Sequence, residues 1–179
     1  MYTYVAFLRG INVGGNGLIK MTELQDCFTQ AGFADVRTYI QSGNVIFKSN
    51  PADQADLTIQ ISALIHKRFN LSVAVAVFSG SEWIGGVKDA PEWWGKDETW
   101  KHNILIMTEP YDTDIAVLGI GALAPDIETV VAGNRVIYQS VSREHFSLSR
   151  SAKISSLPIY KKMTVRNFNT ATKLLSFLE

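Results

Sequence analysis

Glycine and cationic residues cluster directly after the first apolar run of the chain. Residues 9–17 contain four glycines, and Arg9, Asn12 and Lys20 add side-chain donors around them. Glycine lets backbone amides approach a ligand, and loops of this kind between a strand and a helix often bind phosphate. The pattern therefore predicts an anion-binding site, with a tightly turned connection that binds nothing as the alternative.

The glycine spacing differs from that of the two familiar nucleotide loops. Gly10 and Gly15 match the first half of a Walker loop, but Asn16 and Gly17 stand where its lysine and hydroxyl residue should follow. The dinucleotide pattern G-x-G-x-x-G is absent as well. These differences argue against NTP hydrolysis and dinucleotide binding, and no cofactor is predicted.

A second polar group lies near the C-terminus. We predict that Thr164 caps the final helix, so that Arg166 and Asn167 fall in its first turn with Thr170 on the same face. A cation in the first turn opposes the helix dipole, so an anionic partner is expected. That partner is either a carboxylate of the chain or a bound phosphate or carboxylate.

Together these segments predict a composite ligand site. It requires the start of the final helix to dock near the glycine loop, and the turn at residues 41–44 to lie beside that loop. The cationic members would supply charge, and the polar members would orient the ligand. The predicted ligand-binding residues are Arg9, Asn12, Gly14, Gly15, Lys20, Ser42, Asn44, Arg166, Asn167 and Thr170.

Catalytic and metal-binding motifs are missing from the sequence. There is no G-x-S-x-G or H-E-x-x-H segment, and His66, His102 and His145 are scattered. Asp112 and Asp114 fit the start of a helix better than a magnesium site, because acids are favourable there. No metal site and no catalytic residue is predicted, and enzymatic activity stays open.

Charge and hydropathy limit the class of partner. The 17 basic and 17 acidic residues balance, although basic residues are concentrated towards the C-terminus. Long-range attraction to nucleic acid or to an anionic membrane is therefore not a property of the whole molecule. A single cysteine, Cys27, and the lack of an apolar stretch of membrane-spanning length predict a cytoplasmic protein, whose oligomeric state the sequence leaves open.

The elements that must position the glycine loop follow from hydrophobic periodicity. Residues 1–80 show the order βαββαβ, which predicts a ferredoxin-like plait. Thr22 and Gln25 have the form of a capping box and predict the start of the first helix. In this topology the third strand lies between the first two, which places residues 41–44 beside the glycine loop.

The second half of the chain partly repeats this pattern. Residues 81–101 are predicted to be a tryptophan-rich connector, and residues 102–179 a second, related α+β lobe ending in a helix. The serine-rich residues 142–156 have no regular pattern. The fold class predicted for the whole chain is α+β.

A plait also invites comparison with RNA-recognition domains. Those domains place aromatic side chains on their third strand, where they stack on bases. Here the two main stacking positions hold Ser42 and Asn44. Nucleic acid is therefore not a predicted partner.

Three segments taken together resemble one family. They are Phe7-Leu8-Arg9-Gly10-Ile11-Asn12-Val13-Gly14-Gly15, Gln41-Ser42-Gly43-Asn44-Val45 and Thr164-Val165-Arg166-Asn167. With them the chain is similar to bacterial members of the domain-of-unknown-function family 1697. The resemblance implies a compact α/β protein with plait-like lobes and brings no reaction with it.

The leading hypothesis is a cytoplasmic module that binds a small anionic or phosphate-bearing ligand. One alternative is a transferase or hydrolase acting on a phosphorylated substrate, which needs a general base that these motifs do not offer. The other is a protein-interaction module with an exposed anchor patch. The anchors of that patch would be Trp83, Trp93, Trp94 and Trp100.

Overall fold

The computed structural model of the chain describes residues 1–15, 18–110, 112–124 and 126–178. The strands are β1 Tyr2–Leu8, β2 Ala34–Tyr39, β3 Asn44–Ser49, β4 Val75–Ser79, β5 Trp100–Met107, β6 Glu128–Ala132, β7 Val136–Ser142 and β8 Met163–Asn167. The α-helices are α1 Met21–Gln30, α2 Gln54–Phe69, α3 Gly80–Lys88, α4 Thr113–Ile120 and α5 Phe168–Leu175. Three 3-10 helices, Phe146–Leu148, Ser151–Ser156 and Pro158–Lys162, form what we call the 3-10 segment.

The architecture is mixed α+β, with two four-stranded antiparallel sheets and helices. One sheet has the order β2-β3-β1-β4 and the other β6-β7-β5-β8. The chain divides into two compact units, Met1–Ile84 with Leu174–Glu179, and Gly85–Lys173. The finer limits at residues 1–80, 81–101 and 102–179 stay a prediction beside this division.

The first unit is built around β1, which is apolar on both faces. Tyr4, Ala6 and Leu8 join the core formed with α1 and α2. On the opposite face the ring of Phe7 lies 4.5 Å from that of Trp83, because successive strand side chains point to opposite sides. Burial on both faces explains the uninterrupted apolar run in the sequence.

The start of α1 differs from its prediction. The helix begins at Met21, its N-cap is Lys20, and Lys20 makes no side-chain capping bond. Leu24 N donates to Lys20 O, so the helical bonds begin before Thr22 and enclose it in the first turn. The predicted capping box of Thr22 and Gln25 is therefore wrong.

The single cysteine belongs to the core of the first unit. Cys27 is buried on the inward face of α1, as its helical spacing predicts. Burial raises the pKa of its thiol, which keeps the sulfur protonated at neutral pH. A structural role follows.

The second unit is built around β5, which pairs with β7 on one side and β8 on the other. Its core combines β5, α4 and the 3-10 segment, with Leu105, Ala116 and Ile159 among its members. Asp112 caps α4, because its side chain accepts hydrogen bonds from Asp114 N and Ile115 N. The helix-start interpretation of these two acids is confirmed.

The end of the chain also differs from its prediction. Residues 163–167 form strand β8, and α5 begins at Phe168. Pairing of Met163 with Met107 and of Asn167 with Asn103 holds this segment in the sheet. The predicted helix cap at Thr164 is therefore wrong, because cross-strand pairing prevails over a local pattern that also fits a helix.

Within the described residues, none of the helices combines the length and the apolar character needed to cross a bilayer.

Candidate functional site

The glycine loop follows β1 in the first unit. Gly10, Gly14 and Gly15 have φ values of 72°, 63° and 79°, in the left-handed region that favours glycine. Among the described residues, no heavy atom beyond the adjoining residues lies within 4 Å of a Cβ built on any of the three. Their backbone is therefore open to an approaching molecule, while Asn16 and Gly17 lie outside the described residues.

Asn12 connects this loop to the turn between β2 and β3. Its Nδ2 donates to Ile19 O and to Gln41 O, both at 3.0 Å, and its Oδ1 accepts from Ile19 N at 2.7 Å. Leu8 N donates to Gly43 O at 2.8 Å on the same side. The predicted position of the turn beside the loop is confirmed, and the polar atoms of Asn12 are used within the protein.

The polar side chains of the turn at residues 41–44 form hydrogen bonds within the turn region. Asn44 is fully buried, and its Nδ2 donates to Tyr39 O and to Ser42 Oγ. A Cβ on Gly43 would lie 2.8 Å from Leu8 Cβ, so β1 can pass this position because a glycine stands there. Ser42 and Asn44 therefore shape the turn against β1.

The cations predicted for this end of the first unit lie in different settings. Lys20 is exposed and forms an ion pair of 3.6 Å with Glu23. Arg9 is half-buried, and its backbone N–H donates to Ala74 O. The first unit thus holds seven of the predicted residues, and Asn12 links the loop to the turn through Gln41 O.

The remaining three predicted residues belong to the second unit. Arg166 is buried on β8, and its Nη1 donates to Thr164 Oγ1 and Val165 O, both at 2.8 Å. Burial lowers the pKa of Arg166 to about 10, so the guanidinium stays charged at neutral pH. Asn167 Oδ1 accepts from Thr170 N and so caps α5. The predicted helical face is replaced by a strand and a capping interaction.

A pocket of about 590 Å³ lies in the second unit. Asn167 is the single predicted site residue that belongs to it. The lining residues are Gly95, Asp97, Glu98, Trp100, Lys101, His102, Asn103, Arg143, Asn167, Phe168 and Asn169. We call this cavity the β5 pocket.

The β5 pocket forms at the N-terminal end of β5, where β8 ends before it reaches the first residues of that strand. Pairing of β5 with β7 starts at Trp100 and Ser142, whereas pairing with β8 starts at Asn103 and Asn167. The first three residues of β5 therefore have a strand neighbour on one side only. Residues 95–98 and the start of α5 complete the walls.

His102 is held by two hydrogen bonds at the pocket wall. Its Nε2 lies 2.7 Å from Asp97 O, and its Nδ1 lies 2.5 Å from Ser140 Oγ. A carbonyl can only accept, so Nε2 carries the proton, and in the neutral ring Nδ1 accepts from Ser140. Ser140 is 3% exposed, which argues against its use as a nucleophile.

Charged side chains of both signs line the same pocket. Arg143 Nε donates to Glu98 O at 2.9 Å, and Lys101 Nζ lies 4.0 Å from the centre of the Phe146 ring. Thr99 donates to Asp97 Oδ1 through its side chain and its backbone, and these bonds lower the pKa of Asp97. The pocket lining therefore combines the cations Lys101 and Arg143 with the carboxylates of Asp97 and Glu98, of which Asp97 already accepts hydrogen bonds.

Glu128, at the start of β6, is a buried carboxylate that the sequence analysis missed. It accepts from Ala124 N and Arg150 N through Oε1, and from Ser151 N and Ser151 Oγ through Oε2. Burial raises its pKa, but these bonds outweigh burial and the net pKa is lowered. A lone acid opening an apolar strand, followed by a serine-rich segment, is the signal that could have found it.

The tryptophans give little support to an exposed anchor patch. Trp83 and Trp94 are 1% and 5% exposed. Trp93 and Trp100 are half-buried. Their burial counts against the interaction-module hypothesis, since anchors of that kind have to be accessible.

The described residues offer no recognisable metal-binding group. Among the residues that the structure describes, no group of three or more His, Cys, Asp and Glu side chains could hold a metal ion. The described lining of the β5 pocket offers hydrogen-bonding groups and charged side chains.

The family description "Protein of unknown function (DUF1697)" matches residues 1–138. The chain belongs to this family. The solved structure of conserved bacterial protein SP0830 from Streptococcus pneumoniae is similar to this DUF1697 chain, with a TM-score of 0.88, 27% identity and coverage of 99% of each chain. No curated protein matches the chain significantly.

Proposed function

We propose that this DUF1697 protein binds a small anionic ligand and that the β5 pocket is the site. The observation that carries the proposal is the presence of Lys101, His102 and Arg143 on the wall of one cavity of about 590 Å³. Cavities of a few hundred cubic ångströms are typical of small-molecule sites. Arginine and lysine side chains bind phosphate and carboxylate by charge-assisted hydrogen bonds.

The polar lining favours a ligand of modest charge. Asp97 and Glu98 share the pocket with the cations, so a polyanion would meet repulsion there. The carboxamides of Asn103, Asn167 and Asn169 add polar groups to the lining without adding charge. A ligand with one phosphate or carboxylate and further polar groups fits this lining best.

The glycine loop is the second location for such a ligand. Open space over Gly14 and Gly15 supports it, as does the neighbouring Arg9. The internal hydrogen bonds of Asn12, Ser42 and Asn44 weaken it, because those polar atoms are already engaged. A composite of this loop with Arg166, Asn167 and Thr170 stays a prediction.

The enzyme alternative has one supporting observation, His102 in the pocket wall. Acid or base catalysis there would require breaking one of the two bonds that His102 makes to Ser140 and Asp97. Binding is therefore the simpler function. A transferase or hydrolase acting on a phosphorylated substrate would use the same pocket.

The finer structural and cellular assignments belong to this proposal as well. We assign the first unit to the ferredoxin-like plaits, supported by its order β2-β3-β1-β4 with antiparallel neighbours. A cytoplasmic location is supported by the single, buried cysteine, and a bacterial source by the similarity to a conserved bacterial protein. Neither a membrane nor a nucleic acid is proposed as a partner.

Isothermal titration with inorganic phosphate tests the proposal. We expect binding to wild-type protein and at least about tenfold weaker binding to Lys101→Gln and Arg143→Gln, since a lost charge-assisted bond costs about 1.5–3 kcal/mol. The control variant Lys67→Gln removes an equal charge from the exposed face of α2 and should bind phosphate like wild type. No binding, or equal binding by all four proteins, would overturn the proposal.

A further inference from the structure

Asn103 in the β5 pocket is connected to the buried carboxylate of Glu128 by a chain of hydrogen bonds. Asn103 Nδ2 donates to Gln139 Oε1 at 3.0 Å, and Gln139 Nε2 donates to Ser151 Oγ at 3.0 Å. Ser151 Oγ then donates to Glu128 Oε2 at 2.8 Å. The three inner members, Gln139, Ser151 and Glu128, are all buried.

The carboxylate fixes the direction of every bond in this chain. An ionised carboxylate can only accept, so the Ser151 hydroxyl hydrogen points to Glu128. Ser151 Oγ must then accept from Gln139, which turns Gln139 Oε1 towards Asn103. With either amide turned over, two acceptors or two donors would face each other at hydrogen-bond distance.

The direction of the chain decides what Asn103 presents to a ligand. Its Nδ2 is engaged by Gln139, and among the described residues no hydrogen bond reaches its Oδ1. Asn103 is half-buried and lines the pocket. Its side chain therefore offers an oriented acceptor beside the charged residues of the lining.

We propose that the ligand of the β5 pocket carries an N–H or O–H donor, received by Asn103 Oδ1, in addition to its anionic group. Glu128 is the positioning residue that sets this acceptor through Ser151 and Gln139. The inference rests on the proposed function. It narrows the ligand from any small anion to a hydroxylated or amidated phosphate or carboxylate.

If the hydrogen-bonded series from Asn103 to Glu128 had a purely structural role, a different result would be expected. The same bonds tie the 3-10 segment to β7 through Gln139 and to β6 through Glu128, so breaking them could loosen the whole pocket. A loosened pocket would bind all ligands more weakly, and to the same extent. Loss of the oriented acceptor would lower the affinity only of ligands that offer a hydrogen-bond donor.

Ethyl phosphate and 2-hydroxyethyl phosphate form a matched probe pair that differs by one hydroxyl group. We expect wild-type protein to bind 2-hydroxyethyl phosphate about fivefold more tightly in NMR titrations, the usual worth of one neutral hydrogen bond. The preference should fall to about one in Asn103→Leu and in Gln139→Met, while ethyl phosphate binding changes less than about twofold.

The outcomes separate this inference from the proposed function. Absence of binding by either probe would overturn the proposed function. Equal binding of both probes by wild type, or an unchanged preference in Asn103→Leu, would overturn the present inference and leave the anion site standing. If Gln139→Met fails to fold, Asn103→Leu at its half-buried position still decides the question.

Discussion

Ser151 Oγ lies 2.8 Å from Oε2 of Glu128, and Ser151 N donates to the same oxygen at 3.0 Å. One carboxylate at the start of β6 thereby holds the beginning of the second 3-10 helix. The 3-10 segment also contributes Ile159 to the core of the second unit. The bond from Ser151 to Glu128 therefore supports the packing of this unit as well as the pocket wall.

The first prediction concerns the pH dependence of stability. The pKa of Glu128 is lowered in the folded state, so its contribution is fully present above its unfolded pKa of about 4.3 and is lost as the pH falls through the folded value. Glu128→Gln should lower the unfolding free energy at pH 7 by about 2 kcal/mol. Urea unfolding of both proteins between pH 7 and 3 measures this difference.

The difference between wild type and Glu128→Gln should shrink below about pH 4.5. Taking the difference cancels the titration of Asp35 and Asp97, whose pKa values are also lowered. A difference that stays constant across the whole range would show that the ionised form is not what stabilises the fold.

The second prediction concerns the close approach of the turn to β1. Gly43→Ala should lower the unfolding free energy by about 1–3 kcal/mol, because its Cβ would lie 2.8 Å from Leu8 Cβ and its φ is 75°. Gly85→Ala, in α3 with open space around it, is the control and should be neutral or slightly stabilising. Equal effects in thermal unfolding would contradict the packing described.

The third prediction concerns the wall of the β5 pocket. A Cβ on Gly95 would overlap the ring of Phe168, so Gly95→Ala has to displace that ring. We expect phosphate binding to weaken about fivefold or more, because the displaced ring lines the site. Unchanged phosphate affinity in a folded Gly95→Ala protein would place the ligand elsewhere.

The fourth prediction separates the two candidate locations. Asn12→Ala removes the bonds to Ile19 and Gln41 and should destabilise the first unit by about 1–2 kcal/mol. Hydrogen exchange at the Ile19 amide should become faster. Phosphate affinity should stay within about twofold of wild type, and a larger loss would favour the glycine loop as the site.

The sequence carries most of the fold where one local pattern dominates. β1 and β4 are apolar runs, and Asp112 stands directly before a helical pattern. The final helix start could not be placed because Val165, Phe168 and Ala171 also fit helical spacing. Pairing of Met163 with Met107, which no local pattern contains, makes the segment a strand.

The site is less predictable than the fold. The β5 pocket brings together residues from near positions 95, 143 and 167, and its existence depends on where β8 ends relative to β5. Asn167 entered the predicted set for its place near the final helix. Glu128 was missed because three of its four donors are backbone amides, which the sequence does not mark.

The most direct test of the anion-binding proposal is the location of amide shift changes in a 1H–15N spectrum of wild-type protein titrated with inorganic phosphate. We predict saturable changes centred on residues 95–103, Arg143 and residues 167–169, with residues 10–15 and 41–44 unaffected. Changes centred on the glycine loop, or none at all, would contradict the assignment of the β5 pocket.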